Sequence, residues 1–395
     1  MAQPDLVRVV TSTDTKAAST AGHKSGAAWM NLTALTHRIA SGQPVRARVI
    51  VVDEASMADV QSLARVADHC AATGKRLVLQ GDVAQLRAVG PGDAFSVLCA
   101  AHPDAVVRLE TNQRQRTETG RAVAAALHAR DVDLAWDHLT ADGAVLVARN
   151  REHKLGLVAS AVVREIAVHG AENVTCDAVT NAEVDDLNDR IHARLLAAGQ
   201  LDPGQAVTYR APFGDRVLAP GTVLRVRTPR GDRDPSRRLV RGDRAVVTHA
   251  GRDRIRVRFD DGRERALTPR TLLRHLDYGY AGTTHKVQGQ TSAVHIAALA
   301  PTKDAASLYV SASRARERTL FVADARDYLT DKEMRQAGSW TPEDLDDEVL
   351  ERVRAVLSGT SERLDSPHAA LRPSWDPLTP SHSPTVAGGG MGMSR

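Results

Sequence analysis

Residues 49–60 read VIVVDEASMADV, a run of β-branched residues ending on two adjacent carboxylates, Asp53 and Glu54. A strand that delivers two acids at its end can hold a magnesium ion and a water beside a phosphoryl group, where catalysis is positioning and charge rather than covalent chemistry. By itself such a pair is equally well a solvated turn. Four further blocks follow in fixed order: GDVAQLRAVGPGDAF (81–95), LETNQRQ (109–115), TTHKVQGQT (283–291) and LYVSASRARER (308–318). The neutral amide of Gln85 both donates and accepts, which suits a switch. Thr283, His285 and Lys286 place a hydroxyl, an imidazole and an ammonium close together, a surface that grips phosphates, and Gly289 allows close backbone approach.

These residues need strands and helices to position them. Stretches 7–12, 47–56, 75–82 and 105–116 read as strands, with a helical segment at 31–39. Strands alternating with helices predict a parallel sheet with crossover connections, and Asp53, Asp82 and Arg114 then fall just beyond strand ends, where ligands bind. A second α/β unit is expected from a helix at 120–139, a strand at 144–149, a helix at 154–169 and a strand at 174–180 leading into another helix. From about Ala206 the pattern changes to short alternating strands, with Asp261-Gly262 placed as in a tight hairpin. The α/β pattern resumes at 278–291 and closes with a strand at 318–324. A polar helix at 342–357 precedes a Pro-, Ser- and Gly-rich tail from Ser358, expected to be disordered.

Charge separates the modules further. Between Ala206 and His275 there are 18 Arg, no Lys and 8 acidic residues, an excess of +10 in a chain whose total is +4. One module therefore presents a basic face suited to a polyanion, although Arg-rich composition on a solvated surface is the alternative. Arg254, Arg256 and Arg258 alternate along one strand of this module; its aromatic residues are only Tyr209, Phe213 and Phe259, so grip on a backbone is expected more than base stacking. Cys70, Cys99 and Cys176 have neither disulfide nor zinc spacing and read as small core residues. No apolar run is long enough for a membrane span and no secretory pattern opens the chain, so a cytoplasmic location is expected.

Together the five blocks resemble motifs II to VI of superfamily 1 helicases, most closely the RecD-like branch and the helicase half of TraA-type conjugative relaxases; the resemblance covers residues 7–325. It implies two RecA-like parallel-sheet domains, the first incomplete, with an SH3-like all-β insert in the second. The implied boundaries are 1–113 and 114–205 for the first domain and the start of the second, 206–276 for the insert, 277–325 for the return and 326–395 for the tail. It also implies ATP and Mg²⁺ as cofactors and single-stranded DNA as partner. Asp53 would hold Mg²⁺ and Glu54 would orient and deprotonate the attacking water. Gln85 would sense the γ-phosphate, Asp82 of the same Gly81-Asp82 block and Gly289 would also lie at the nucleotide, and Arg114 and Arg314 would reach the γ-phosphate across the cleft. Thr283, His285, Lys286 and Thr291 would meet the strand, with Gln288 and Gly289 shaping the turn, and the insert would line its channel.

The family's phosphate loop, G-x-x-x-x-G-K-[ST], does not occur in the sequence. ATGKR (72–76) has Arg76 in place of Ser/Thr and precedes a strand; AGHKSG (21–26) has His23 in place of the second glycine. The first block, VRVVTSTDTK, resembles the segment that follows that loop, which gives the expectation of a truncated chain with a relaxase or an upstream helicase segment as partner. Two functions follow: part of an ATP-driven single-stranded-DNA translocase with little turnover by itself, or a non-catalytic module that binds DNA or a partner on a helicase fold.

Overall fold

The computed structural model describes residues 8–13, 15–86, 93–109, 112–210, 215–231 and 238–370. Part of the Gly81–Phe95 block (87–92), Glu110 and Thr111 of the next block, Phe213 and the tail beyond 370 lie outside the described residues.

The first unit holds β1 (Arg8–Ser12), α1 (Thr15–Ser25), β2 (Ala28–Asn31), α2 (Leu32–Ala40), β3 (Val49–Val52), α3 (Val60–Thr73), β4 (Arg76–Leu79) and α4 (Ala94–Ala101). Its strands pair in the order β2-β1-β3-β4, all parallel. Ile50, Val52, Leu35, Leu63, Val66 and Phe95 fill the core between sheet and helices. Asp59 caps α3 by accepting from Ser62 N at 2.8 Å, which starts that helix just after the two carboxylates.

The structure departs from the expected strands in two places. No strand was expected at β2; AWMN carries no β-branched residue to mark it, and its pairing with β1 decides it. Conversely, the strand expected in 105–116 does not form among the described residues of that range. Residues 103–105 make a 3-10 turn, 106–109 are irregular, and Val107 and Leu109 are 88% and 93% exposed. A strand needs a partner as well as an apolar sequence, and among the described residues β4 is the edge of its sheet.

The second unit opens with α5 (Glu118–His128) and α6 (Val132–Ala141), followed by β5 (Val145–Ala148), α7 (Arg151–His169), β6 (Val174–Ala178) and α8 (Asn181–Ala197). The single helix expected at 120–139 is divided because Arg130 adopts φ +64° and Asp131 caps the next helix by accepting from Leu134 N.

The insert comprises β7 (Val207–Tyr209), β8 (Arg216–Leu218), β9 (Val223–Val226), β10 (Arg244–Ala250), β11 (Ile255–Phe259), β12 (Glu264–Leu267), α9 (Pro269–His275) and β13 (Leu276–Tyr278). Strands β12-β11-β10-β9-β13 form one antiparallel sheet, with the Asp261-Gly262 turn between β11 and β12.

The second unit then returns through β14 (Ala281–Thr283), α10 (Thr284–Val287), β15 (Ser292–Ala298), α11 (Ala305–Ala312) and β16 (Ala315–Asp324), giving the parallel order β14-β6-β15-β16-β5. The chain goes on through α12 (Ala325–Tyr328), α13 (Asp331–Gln336) and α14 (Pro342–Ala370). α14 runs on to Ala370, past Ser358 where the disordered tail was expected to begin. Leu345, Val349, Val353 and Leu357 form its buried stripe against a core that includes Trp136, Leu308 and Phe321. On the other face of the sheet, Leu155, Leu187 and Ile191 share a core with Leu224, Val257 and Phe259 of the insert.

Where α8 meets the insert, the buried His192 ring stacks on Tyr278 with centroids 4.2 Å apart, and its Nδ1 lies 3.1 Å from Tyr280 Oη. Its Nε2 has no partner. Burial, helped by the nearby Arg216 charge and opposed by the Val217 backbone, pushes His192 from 6.5 down to about 4. The unfolded chain therefore takes up a proton that the folded chain refuses, so stability is held above pH 6.5 and lost as the pH falls towards 4. We expect this group to remove about 2 kcal/mol between pH 7 and pH 5. Urea midpoints of wild type and His192→Gln at both pH values check this; equal losses in the two proteins would show that His192 is not responsible.

Candidate nucleotide and nucleic-acid site

The carboxylates emerge where β3 ends. Asp53 N donates to Thr11 O at 2.8 Å, Gln80 N to Val52 O at 2.8 Å and Ala55 N to Gln80 O at 2.8 Å, so β1, β3 and the end of β4 all hold the turn. Glu54 takes a left-handed conformation, φ 51° and ψ 45°, with its N–H donating to Asp53 Oδ1 at 3.1 Å. A non-glycine residue there is strained, and the strain turns Glu54 out of the strand before the short helix 55–57 begins. Gly81 makes this possible: a Cβ there would lie 3.1 Å from Ala55 N and 3.2 Å from Ser56 N.

The second unit reaches this turn through one side chain. Gln288 Nε2 donates to Glu54 Oε2 at 3.4 Å and to Gln85 Oε1 at 3.2 Å. Gln85 Nε2 in turn donates to Asp82 Oδ2 at 3.2 Å, and Tyr309 Oη donates to the same oxygen at 2.9 Å. His128 Nε2 lies 3.7 Å from Asp82 Oδ1. One chain of contacts thus joins Glu54, Gln288, Gln85, Asp82 and Tyr309 across the two units.

Both arginines come together beside it. Arg314 is 1% exposed; its guanidinium donates to Val310 O at 2.8 Å, Ser313 Oγ at 2.9 Å and Gln290 O at 3.3 Å. Arg114 Nη1 donates to Ser313 O at 2.9 Å, and Gln115 Nε2 donates to Ser313 O and Ala315 O at 3.1 Å each. Burial, then the Arg114 charge beside it, lowers Arg314 to about 10, while the Glu54 carboxylate acts in the opposite direction. Burial, then the Asp53 charge, raises Glu54, with Arg314 and Gln288 partly opposing; burial raises Asp53. Two raised carboxylates beside a lowered guanidinium are groups poised for a charged ligand.

The residues fit a magnesium-bound nucleotide. Among the described residues no cluster of three His, Cys, Asp or Glu could cage a metal, and Mg²⁺ commonly takes one or two carboxylates with waters and substrate phosphates supplying the rest. Thr11 Oγ1, Ser56 Oγ and Gln288 Oε1 are buried without partners around the pair, leaving polar atoms for such a ligand.

A family model described as an AAA domain matches residues 5–150. The probable conjugal transfer protein TraA of Sinorhizobium fredii is 28% identical over 250 residues, 62% of this chain and 21% of that protein. The conjugal transfer protein TraA of Rhizobium radiobacter is 27% identical over 248 residues, with the same shares. The structure of Pif1 helicase from Bacteroides in complex with ADP-AlF3 and ssDNA superposes with a TM-score of 0.52 at 17% identity, covering 86% of this chain and 89% of that one. The chain is similar to TraA-type conjugal transfer proteins over part of its length and shares its fold with the Pif1 helicase. It spans about a fifth, 21%, of the length of the TraA relatives it matches. Its two parallel sheets are the RecA-like units of that fold, and the insert is all-β.

The block 283–291 lies on the second unit beside the insert. His285 and Lys286 are exposed on α10, Thr283 stands at its N-cap position without a side-chain capping bond, Thr291 is half-buried, and Gly289 has φ +75°, which favours glycine. Lys286 Nζ donates to Asn181 Oδ1 at 2.9 Å, and Arg225 Nη1 donates to Lys286 O at 3.4 Å. Burial lowers Lys286, and Arg227 and Arg225 lower it further, which marks a concentrated positive patch. Arg254, Arg256 and Arg258 are exposed, the last two alternating with buried Ile255, Val257 and Phe259. By register, Arg258 shares a face of the insert with Arg225 and Arg244.

The block reading missed two things. Gln288 spans the two units rather than only shaping a turn, and the buried Asp177–Lys303 pair stands behind the block. Nothing local marks Gln288, whereas Asp177, a carboxylate inside the apolar run VTCDAV, was the available signal for the buried pair.

Proposed function

We propose that this chain forms the strand-tracking and water-activating part of an ATP-driven translocase on single-stranded DNA. The observation that carries this reading is Gln288: one amide holds both the base candidate Glu54 and the sensor candidate Gln85, two residues along the chain from Lys286 in the positive patch. A strand seated on α10 and a nucleotide beside Glu54 would thus be linked by a single side chain. Asp53 would hold Mg²⁺, which, when bound, neutralises charge developing on the phosphates; Arg114 and Arg314 would meet that charge from the other side. Thr283, His285, Lys286 and Thr291 would contact the strand backbone, and the exposed arginines of β11 would extend the grip. The sequence contains no phosphate loop, so hydrolysis by this chain alone is expected to be absent or slow. A module that binds DNA without turnover would share the grip; the converging Glu54, Gln288 and Arg314 favour the motor reading.

Binding of a deoxythymidine oligonucleotide, followed by fluorescence anisotropy against salt concentration, tests the grip. We expect log K to fall steeply with log salt, and Arg254→Gln, Arg256→Gln and Arg258→Gln together to reduce the slope by about 2, at about 0.7 per phosphate contact. A salt-independent affinity, or a slope unchanged in the triple variant, would remove the insert from the channel.

A further inference from the structure

We propose that Asp177 is a positioning residue that makes one body of α10, which faces the strand, and α11, which leads into Arg314, so that a strand seated on α10 is felt at that arginine. The inference rests on the reading of α10 as a strand-contacting helix.

Asp177 lies near the end of β6 and is fully buried. Its oxygens accept from Lys303 Nζ at 3.0 and 3.1 Å, and Oδ2 also accepts from Ser311 Oγ at 2.9 Å. The buried Thr284 side chain faces the same carboxylate and favours its charged form, and His295 Nε2 lies 3.7 Å from Oδ1. Thr284 immediately precedes His285 and Lys286, whereas Ser311 stands three residues before Arg314. Both motif-bearing segments therefore meet at one ion, Ser311 by a hydrogen bond and Thr284 by its buried side chain, and Lys303 supplies the charge that lets it stay ionised inside. His295 is held in turn by Thr175, whose Oγ1 is 2.8 Å from its Nδ1 and 2.7 Å from Ser292 Oγ.

An apolar side chain would fill this place without the desolvation that a buried ion entails. What a carboxylate adds is several acceptor sites at fixed angles, so that donors from different elements meet at one point and cannot shift independently. Because α10 and α11 are joined here behind the site while Gln288 joins the units in front of it, movement of one helix is transmitted to the other.

Hydrogen exchange of the full chain, with and without a deoxythymidine oligonucleotide of about 15 nucleotides, tests the coupling. In the wild type the oligonucleotide is expected to slow exchange in residues 305–314. Thr284→Val and Ser311→Ala each remove one hydroxyl; each is expected to bind the oligonucleotide within about threefold of wild type while losing that slowing, and Thr284→Ser to restore it. Slowing that persists in both variants, or is absent from the wild type, overturns the proposal. So does faster exchange across the whole sheet regardless of the oligonucleotide, the signature of a purely structural role. Failure of the wild type to bind the oligonucleotide overturns the strand-contacting reading and this coupling with it, an outcome distinct from the other three.

Discussion

Lys303→Ala is expected to destabilise the chain by roughly 3–5 kcal/mol, because it leaves Asp177 buried without its counter-ion. Lys303 and Asp177 are 2% and 0% exposed, so neither charge can turn to water when the other is lost. The pH dependence identifies the mechanism. In the wild type Lys303 and the hydrogen bonds to the carboxylate outweigh burial and hold Asp177 well below the usual carboxylate range. A depressed pKa contributes stability that is present above the unfolded value and lost as the pH falls through the folded one. Without Lys303, burial dominates and the carboxyl favours its neutral form, so the deficit of the variant should shrink on acidification. Urea midpoints at pH 7 and pH 4.5 measure this, and adding Asp177→Asn to Lys303→Ala should recover part of the loss at pH 7. A deficit that is small or does not change with pH would mean that the pair carries little of the fold's stability.

Glu54→Gln is expected to reduce any DNA-stimulated ATP hydrolysis by about 10²- to 10⁴-fold, the range associated with a positioned general base. The substitution keeps the shape of the side chain and an oxygen to accept from Gln288, so it isolates the proton-accepting function. Since burial and Asp53 raise the pKa of Glu54, the wild-type rate should climb with pH as the carboxylate forms. Phosphate release measured for the two proteins across pH, with oligonucleotide present, is the check. Robust turnover that survives the substitution would assign the base elsewhere and leave Glu54 as a structural acid.

Much of this was legible in the sequence because the chemistry-bearing residues come in contiguous blocks, each attached to a strand or helix with a clear pattern. VIVVDE declares a buried strand and the acids at its end within six letters. Legibility ended where the deciding partner is remote. AWMN is a strand only because β1 lies beside it, and 105–109 is not one although its apolar residues suit the role. Gln288 finds its partners 234 and 203 positions away, and Lys303 finds Asp177 126 positions away. No window of sequence holds both ends of such a contact. The division of one expected helix at Arg130 is a smaller case of the same kind, since the positive φ there is offset by packing of the two resulting helices.

The tether at residues 114–117 determines where this molecule can bend. Besides the bonds of Arg114 and Gln115 to Ser313 and Ala315, Arg116 N donates to Arg316 O at 2.6 Å and Thr117 Oγ1 to Glu317 O at 3.1 Å. The segment after the first unit is stitched to the second unit around the start of β16, so any bending between the units is expected upstream of Arg114. The two arginines are consequently mounted together on the second unit, and their spacing is set by the short stitched segment and the end of α11.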